Sequence, residues 1–200
     1  MEKKTAFFGD GGHARSLSAI VQPSFKTDHG SFEPDMVEKF VWCVAIGDNA
    51  SREAEVGELE SHHAKFATVV APTAVVLSNP GEGTCVLHKT VIEPGCSIGK
   101  HCIINTSAVV CHDTTIGDFV HVSPGATVCG GCKIGNRVWV GAGSVVREKI
   151  VIGEGATIGA GSVVVRDIPP GVTAYGVPCR PVAGQQEHVH SSPGTRPPCS

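Results

Sequence analysis

The sequence predicts a mainly β protein, in which a parallel β-solenoid over residues 71–182 follows a small α/β domain over residues 1–70. Three observations predict it. The first is a Val or Ile at every sixth position from Val86 to Val164, fourteen times without a break. The series is Val86, Ile92, Ile98, Ile104, Val110, Ile116, Val122, Val128, Ile134, Val140, Val146, Ile152, Ile158 and Val164. A period of six fits neither a helix of about 3.6 residues per turn nor plain strand alternation. It fits a coil whose units each supply one short strand and one turn. The second is a column of mostly small residues four places after each aliphatic, among them Thr90, Cys96, Cys102, Ala108, Thr114, Ala126 and Cys132. A narrow coil has room for one large side chain per unit, so its inward neighbour must be small. The third is the absence of the period from residues 1–70, where short apolar runs alternate with helix-forming stretches.

The elements follow in order. Thr5 to Phe8 reads as a buried strand running into Gly9-Asp10-Gly11-Gly12, with a helix expected over 13–22. A short helix is expected over 35–40, a buried strand over 41–47, a helix over 49–60 and a third strand near 66–70. No strand is evident between Pro23 and Phe40. The solenoid begins weakly at Val70 and Val76, and the loop Ser78 to Gly83 shifts its phase before the clean run. Each inward aliphatic contributes about 1.5–3 kcal/mol by leaving water. Glycines often follow the aliphatic, as at Gly99, Gly117, Gly135, Gly141, Gly153 and Gly159, and are expected at corners that need unusual backbone angles. Pro169 and Pro170 end the ladder, and Tyr175 to Pro181 reads as a closing segment. Residues 183–200 are polar and rich in Pro, Gly, His and Ser, so a disordered tail is expected, with His188 and His190 incidental.

Composition narrows the function. A formal charge of −3 with no basic run argues against nucleic-acid binding. No stretch is long enough to span a membrane, and the start lacks a signal peptide, so the cytoplasm is the expected compartment. Of nine cysteines, Cys96, Cys102 and Cys132 fall in the small inward column and read as buried hydrophobes. Cys129-x-x-Cys132 has zinc-like spacing but no second pair, so no metal is expected.

Unbroken hexapeptides ending in Val165-Arg166-Asp167-Ile168-Pro169-Pro170-Gly171 resemble the left-handed β-helix acyltransferases. Gly9-Asp10-Gly11-Gly12-His13-Ala14-Arg15 and Asn105-Thr106-Ser107-Ala108-Val109-Val110-Cys111-His112-Asp113 narrow the resemblance. It is to sugar acetyltransferases of the bacillosamine-pathway N-acetyltransferase and sialic acid O-acetyltransferase type, over residues 4–182. The resemblance implies a left-handed parallel β-helix behind a truncated Rossmann-like domain. It implies a homotrimer with acetyl-CoA in the groove between neighbours, and an amino sugar on a nucleotide, or a related hydroxyl, as acceptor. Relatives carry a second strand ending in an acidic pair that reads the nucleotide, and none is evident here.

Moving an acetyl group from a thioester to an amine needs a base, a donor for the developing oxyanion, and alignment. His112, two residues after an inward aliphatic, points outward at a corner and is the candidate base, although an exposed turn histidine would look the same. Asp113 resembles the acidic residue that orients the family's base. Gly130 lies eighteen residues beyond His112, one full coil, and is expected beneath it with its N–H facing the thioester carbonyl. The resemblance places His121 near the acetyl group and Asn105 near the base. It assigns the pantetheine strip to Ala142-Gly143 and Ala160-Gly161, and coenzyme phosphates to Arg166 and Arg180. Gly11, Gly12 and His13, with Asp48, are matched to sugar-nucleotide contacts. A γ-class carbonic anhydrase needs three histidines on one zinc, two of them close on one chain. His88, His101, His112 and His121 are spaced 13, 11 and 9 apart. A non-enzymatic solenoid should show flat outward rows of Thr, which are absent, and has no use for the Gly-Gly-His segment.

Overall fold

A computed structural model describes residues 4–28 and 32–182, so the expected tail lies outside the described residues. The chain opens with β1 (Lys4–Phe8), α1 (Gly12–Ser18), β2 (Phe25–Thr27), a 3-10 helix (Pro34–Lys39), β3 (Phe40–Val44) and α2 (Asn49–Ser61). The sheet order is β2-β1-β3, all parallel. β2 corrects the expectation of no strand between Pro23 and Phe40. It is a three-residue edge strand, too short for a periodic signal, with its Phe25 ring stacked on Phe40 at 5.7 Å. α1 stops at Ser18 rather than Gln22, because Ile20 and Val21 both turn back to the Leu17 carbonyl and Pro23 cannot continue a helix. The third strand expected near 66–70 divides between two structures. Phe66 makes a single bridge to Trp42, while Val69–Val70 already pairs with Cys85–Val86 of the solenoid.

The solenoid is a triangular prism of three parallel sheets. Its first face has eight strands, from Val69–Val70 through His121–Val122, Trp139–Val140 and Thr157–Ile158 to an antiparallel closing strand at Arg180–Pro181. The second face has six, from Val75–Val76 to Val163–Val164, and the third has four, from Ser97–Ile98 to Val151–Ile152. Partners in the central coils are eighteen residues apart, as in Val110 against Val128. All fourteen periodic aliphatics are buried, forming one column through the prism.

The small column does more than save space. Its hydroxyls and thiols donate to carbonyls fifteen residues on: Thr90 to Asn105 at 2.9 Å, Cys102 to Gly117 at 3.0 Å, Thr114 to Cys129 at 3.1 Å and Ser144 to Gly159 at 2.8 Å. Buried polar groups are thus satisfied while they fasten coil to coil. Burial also raises the thiol pKa values, Cys102 to about 12. The glycines after the aliphatics have a different cause from the one expected. Their φ angles are not positive; a Cβ at Gly141 would instead lie 2.5 Å from the Ile158 carbonyl of the next coil. The left-handed angles fall two residues later, at Lys89, Gly95, His101, Ser107, Asp113 and onward.

Both end coils are shortened at the same corner. Val76 and Pro80 are four residues apart where Val110 and Ile116 are six, and Val164 and Ile168 repeat the contraction. The corner between the second and third faces therefore reaches its full size only in the middle of the prism.

Arg52 of α2 joins the two parts. It is 2% exposed, and it donates to the carbonyls of His101 at 2.8 Å, Phe119 at 2.9 Å, Ile46 at 3.1 Å and Gly47 at 3.1 Å. Burial lowers its pKa to about 10, well above neutrality, so the charge persists and the carbonyl dipoles solvate it. His101 is sandwiched by Phe66 at 4.6 Å and Phe119 at 5.3 Å, and burial lowers its pKa to about 4. A histidine kept neutral in the fold but free to charge when unfolded destabilises the fold in acid. Its contribution is complete above the unfolded value of ~6.5 and is lost as the pH falls toward 4. The melting temperature, followed by circular dichroism, should fall steadily below pH ~6.5. His101→Phe, which preserves the stack, should lessen that fall without abolishing it, because the buried His121 titrates in the same direction; an unchanged slope would remove His101 as a source.

Candidate functional site

Two constellations stand on different parts of the prism. The first is at the corner between the second and third faces. His112 Nδ1 lies 2.9 Å from Asp113 Oδ2. Asp113 adopts a left-handed φ of 58°, a conformation that Asp tolerates better than most residues, and this turns its carboxylate back to the ring. Two glycines seat the pair. A Cβ on Gly95, one coil before, would come within 2.4 Å of Asp113 Oδ1. A Cβ on Gly130, one coil after, would come within 2.7 Å of His112 Cε1 and 2.8 Å of Nε2. Gly130 therefore lies beneath the imidazole. Its N–H meets no backbone acceptor among the described residues, while its carbonyl takes the Lys149 N–H at 3.0 Å. The hydrogen bond to Asp113 raises the His112 pKa, with the charges of Asp113 and Glu93 adding to it. With Nδ1–H donated to the carboxylate, Nε2 presents a lone pair to solvent, an arrangement suited to accepting a proton.

The second constellation is a groove of about 850 Å³ along the first face. Its floor includes Trp139, Thr157, Thr173, Ala142 and Ala160, and its wall is Asp48, Asn49 and Ala50 at the start of α2, with Arg137 beside them. Asp48 caps α2 by accepting the Ser51 N–H at 2.8 Å. Arg137 is ion-paired to Glu53 at 2.9 Å and to Glu154. His121 also lines the groove but is only 6% exposed. Asn105 Nδ2 donates to its Nε2 at 3.1 Å, which leaves Nδ1–H to donate to the Gly47 carbonyl at 3.2 Å. Its ring stacks on Trp139 at 4.9 Å, and burial lowers its pKa to about 3. His121 is thus a neutral histidine of fixed tautomer, while His112 is an exposed one paired with a carboxylate. Their environments push the two pKa values in opposite directions.

The remaining sequence-expected residues divide as follows. Ala142 and Ala160 line the groove, and Gly143 and Gly161 make the left-handed turns beside them, with φ of 65° and 67°. Arg180 is exposed on the closing strand of the first face, and Arg166 is exposed at the far corner after Val164. Gly11 caps α1 without a side-chain hydrogen bond, Gly12 begins that helix, and His13 abuts the buried Cys85 thiol, whose sulfur is 3.5 Å from that of Cys43. Sequence reasoning missed Trp139, Arg137, Arg52 and Glu93. Glu93 was within reach of coil arithmetic, since it precedes Cys111 by eighteen residues. Among the described residues, no group of three or more His, Cys, Asp or Glu is gathered to hold a metal ion, and no helix is long and apolar enough to cross a membrane.

Known proteins share this architecture. The family "Bacterial transferase hexapeptide (six repeats)" matches residues 131–166. PerB from Caulobacter crescentus, solved with CoA and GDP-perosamine, is 31% identical with a TM-score of 0.85, over 90% of this chain and 97% of its own. The acetyltransferase domain of PglB from Neisseria gonorrhoeae FA1090, solved with acetyl coenzyme A, is 30% identical with a TM-score of 0.80, over 91% of this chain and 100% of its own. WeeI from Acinetobacter baumannii AYE is 27% identical with a TM-score of 0.83, over 90% of this chain and 100% of its own. With this identity over nearly the full length of both chains, and with the hexapeptide coil and its preceding α/β domain in common, the chain belongs to the left-handed β-helix sugar acetyltransferases.

Proposed function

We propose that the protein transfers acetyl from acetyl-CoA to the amine of a nucleotide-linked amino sugar in the cytoplasm, for surface glycan synthesis. The observation that carries the reading is the His112–Asp113 pair, with Nε2 open above Gly130. His112 Nε2 takes the proton that the amine loses as nitrogen bonds to the acetyl carbon. Asp113 holds the tautomer and stabilises the resulting imidazolium. The Gly130 N–H donates to the oxyanion, whose collapse breaks the C–S bond and expels CoA as a thiolate, which takes the proton from the imidazolium. Ala142 and Ala160, flanked by Gly143 and Gly161, form a strip without bulky side chains against which pantetheine lies, and His121 with Asn105 marks its acetyl end. Arg180, farther along the same sheet, and Arg166 are assigned to the coenzyme phosphates. Gly11, Gly12, His13 and Asp48 are assigned to the sugar nucleotide. Described cysteines that are all free thiols accord with a reducing compartment. PerB and the PglB domain supply the support for a nucleotide sugar and for acetyl-CoA. The test is CoA thiol release over UDP-, dTDP- and GDP-linked amino sugars and free sialic acid. Turnover with sialic acid alone would move the reading to O-acetylation, and turnover with none of them would overturn it.

The same reading calls for a homotrimer. The His112 corner joins the second and third faces, so it lies opposite the first face that carries the groove, and one chain does not bring them together. The second face carries an outward ladder of Val75, Val91, Val109, Thr127, Val145 and Val163, with Val75 51% and Val145 39% exposed. Packing that ladder against a neighbour buries apolar surface while bringing one chain's corner to the next chain's groove. Light scattering should give three times the chain mass. A fully active monomer would remove the basis for a shared site.

A further inference from the structure

We infer that Glu93 is a positioning residue for acetyl transfer, acting through His112; the inference rests on the reading of His112 as the base. Glu93 occupies the same corner as His112, one coil earlier. Its Oε2 accepts the His112 backbone N–H at 2.8 Å. Its own backbone is held on both sides, by its N–H donating to the Val110 carbonyl at 2.9 Å and by its carbonyl accepting from Ser78 Oγ at 2.8 Å. The carboxylate therefore has a fixed origin. A charged acceptor on a backbone N–H makes one of the stronger hydrogen bonds in proteins. Here it ties down the peptide that carries the imidazole, at a corner where the next residue, Asp113, takes a left-handed φ of 58°. The preceding coil thus contributes Gly95 as the seat of the Asp113 carboxylate and Glu93 as the anchor of the His112 backbone. The following coil contributes only the uncharged Gly130 beneath the ring. The charged groups acting on the imidazole are Asp113 on its own corner and Glu93 on the coil before it; the coil beyond Gly130 carries Glu148, paired with Arg147 at 3.6 Å, and Lys149. Both carboxylates favour the imidazolium that forms when the base takes its proton. A base displaced by even an ångström loses much of its rate advantage, so the anchor bears on turnover without touching substrate.

The test compares Glu93→Ala with Glu93→Gln in the full-length protein. The amide oxygen of Gln can still accept the His112 N–H but carries no charge. Glu93→Ala should lower kcat about tenfold, the scale of a small misplacement of a reacting group, with the KM for acetyl-CoA unchanged. Glu93→Gln should recover most of kcat at alkaline pH while its acidic limb moves to lower pH, because one of the two carboxylates that favour the imidazolium is gone. The His112 imidazole, titrated by NMR in the absence of substrate, should shift downward in both variants. Wild-type kcat together with an unshifted imidazole titration in Glu93→Ala would overturn the inference, as would a loss confined to KM. If His112→Ala itself turns over normally, the general-base reading fails; the imidazole titration still reports on the Glu93–His112 link, so the two failures are distinguishable.

Discussion

His112→Ala should lower turnover by about 10²–10⁴-fold, the usual scale for losing a positioned proton acceptor. The fold should be untouched, because the ring is exposed at a corner and no buried group depends on it. Affinity for acetyl-CoA should change little, since the strip assigned to pantetheine lies on the first face. Asp113→Asn should cost less, because an amide can still orient the ring while no longer stabilising its charged form. Wild-type activity should rise with pH as the imidazole loses its proton. That rise is centred above the ordinary histidine value, because the Asp113 hydrogen bond raises the pKa of His112. Rapid-quench or thiol-release kinetics across pH would show it. Near-normal turnover in a correctly folded variant would place the base elsewhere. His121 would then be a poor substitute, since burial holds it neutral and the Gly47 and Asn105 contacts engage both of its nitrogens.

Val122→Asp should abolish the fold. Val122 is fully buried midway along the column, with Ile104 before it and Val140 after it in the first face. A carboxylate there loses its hydration and finds no donor among aliphatic neighbours. The substitution also forfeits about 1.5–3 kcal/mol of apolar burial. The desolvation cost adds several kcal/mol, against a net stability of about 5–15 kcal/mol for an ordinary domain. Expression in inclusion bodies, or a soluble chain without a cooperative melt, is the expected result. A soluble, cooperatively melting variant would count against a close-packed interior at this position.

The solenoid was legible because its constraint is local and repeated. Each coil must place one aliphatic at Val86, Ile104, Val122 or Val140 in the same way, so the period declares itself. The α/β domain was legible only in outline. β2 spans three residues, and its identity comes from pairing with β1 rather than from any pattern of its own. His112 and Asp113 were singled out through motif and coil spacing, and their ring and carboxylate do meet at 2.9 Å; Gly130 was placed beneath the ring by counting one coil. Arg52 was not reached, since a charged residue in a helix reads as exposed; only the convergence of carbonyls from Ile46, Gly47, His101 and Phe119 makes its burial favourable. The glycines were found but misexplained, because the approach of the next coil is invisible in a linear string.

The contraction of both end coils at one corner limits how this molecule can change in length. Between them, every step along the prism is eighteen residues, so the chain can gain or lose only whole coils without rotating all later side chains off their faces. Glu93, His112 and Gly130 occupy three successive coils, each touching the next across them. A coil inserted between Glu93 and Gly130 would separate them, whereas one inserted after Gly130 would lengthen the prism and leave the reacting corner as it was. Divergence in length within such a lineage is thereby directed to coils outside the stretch from Glu93 to Gly130.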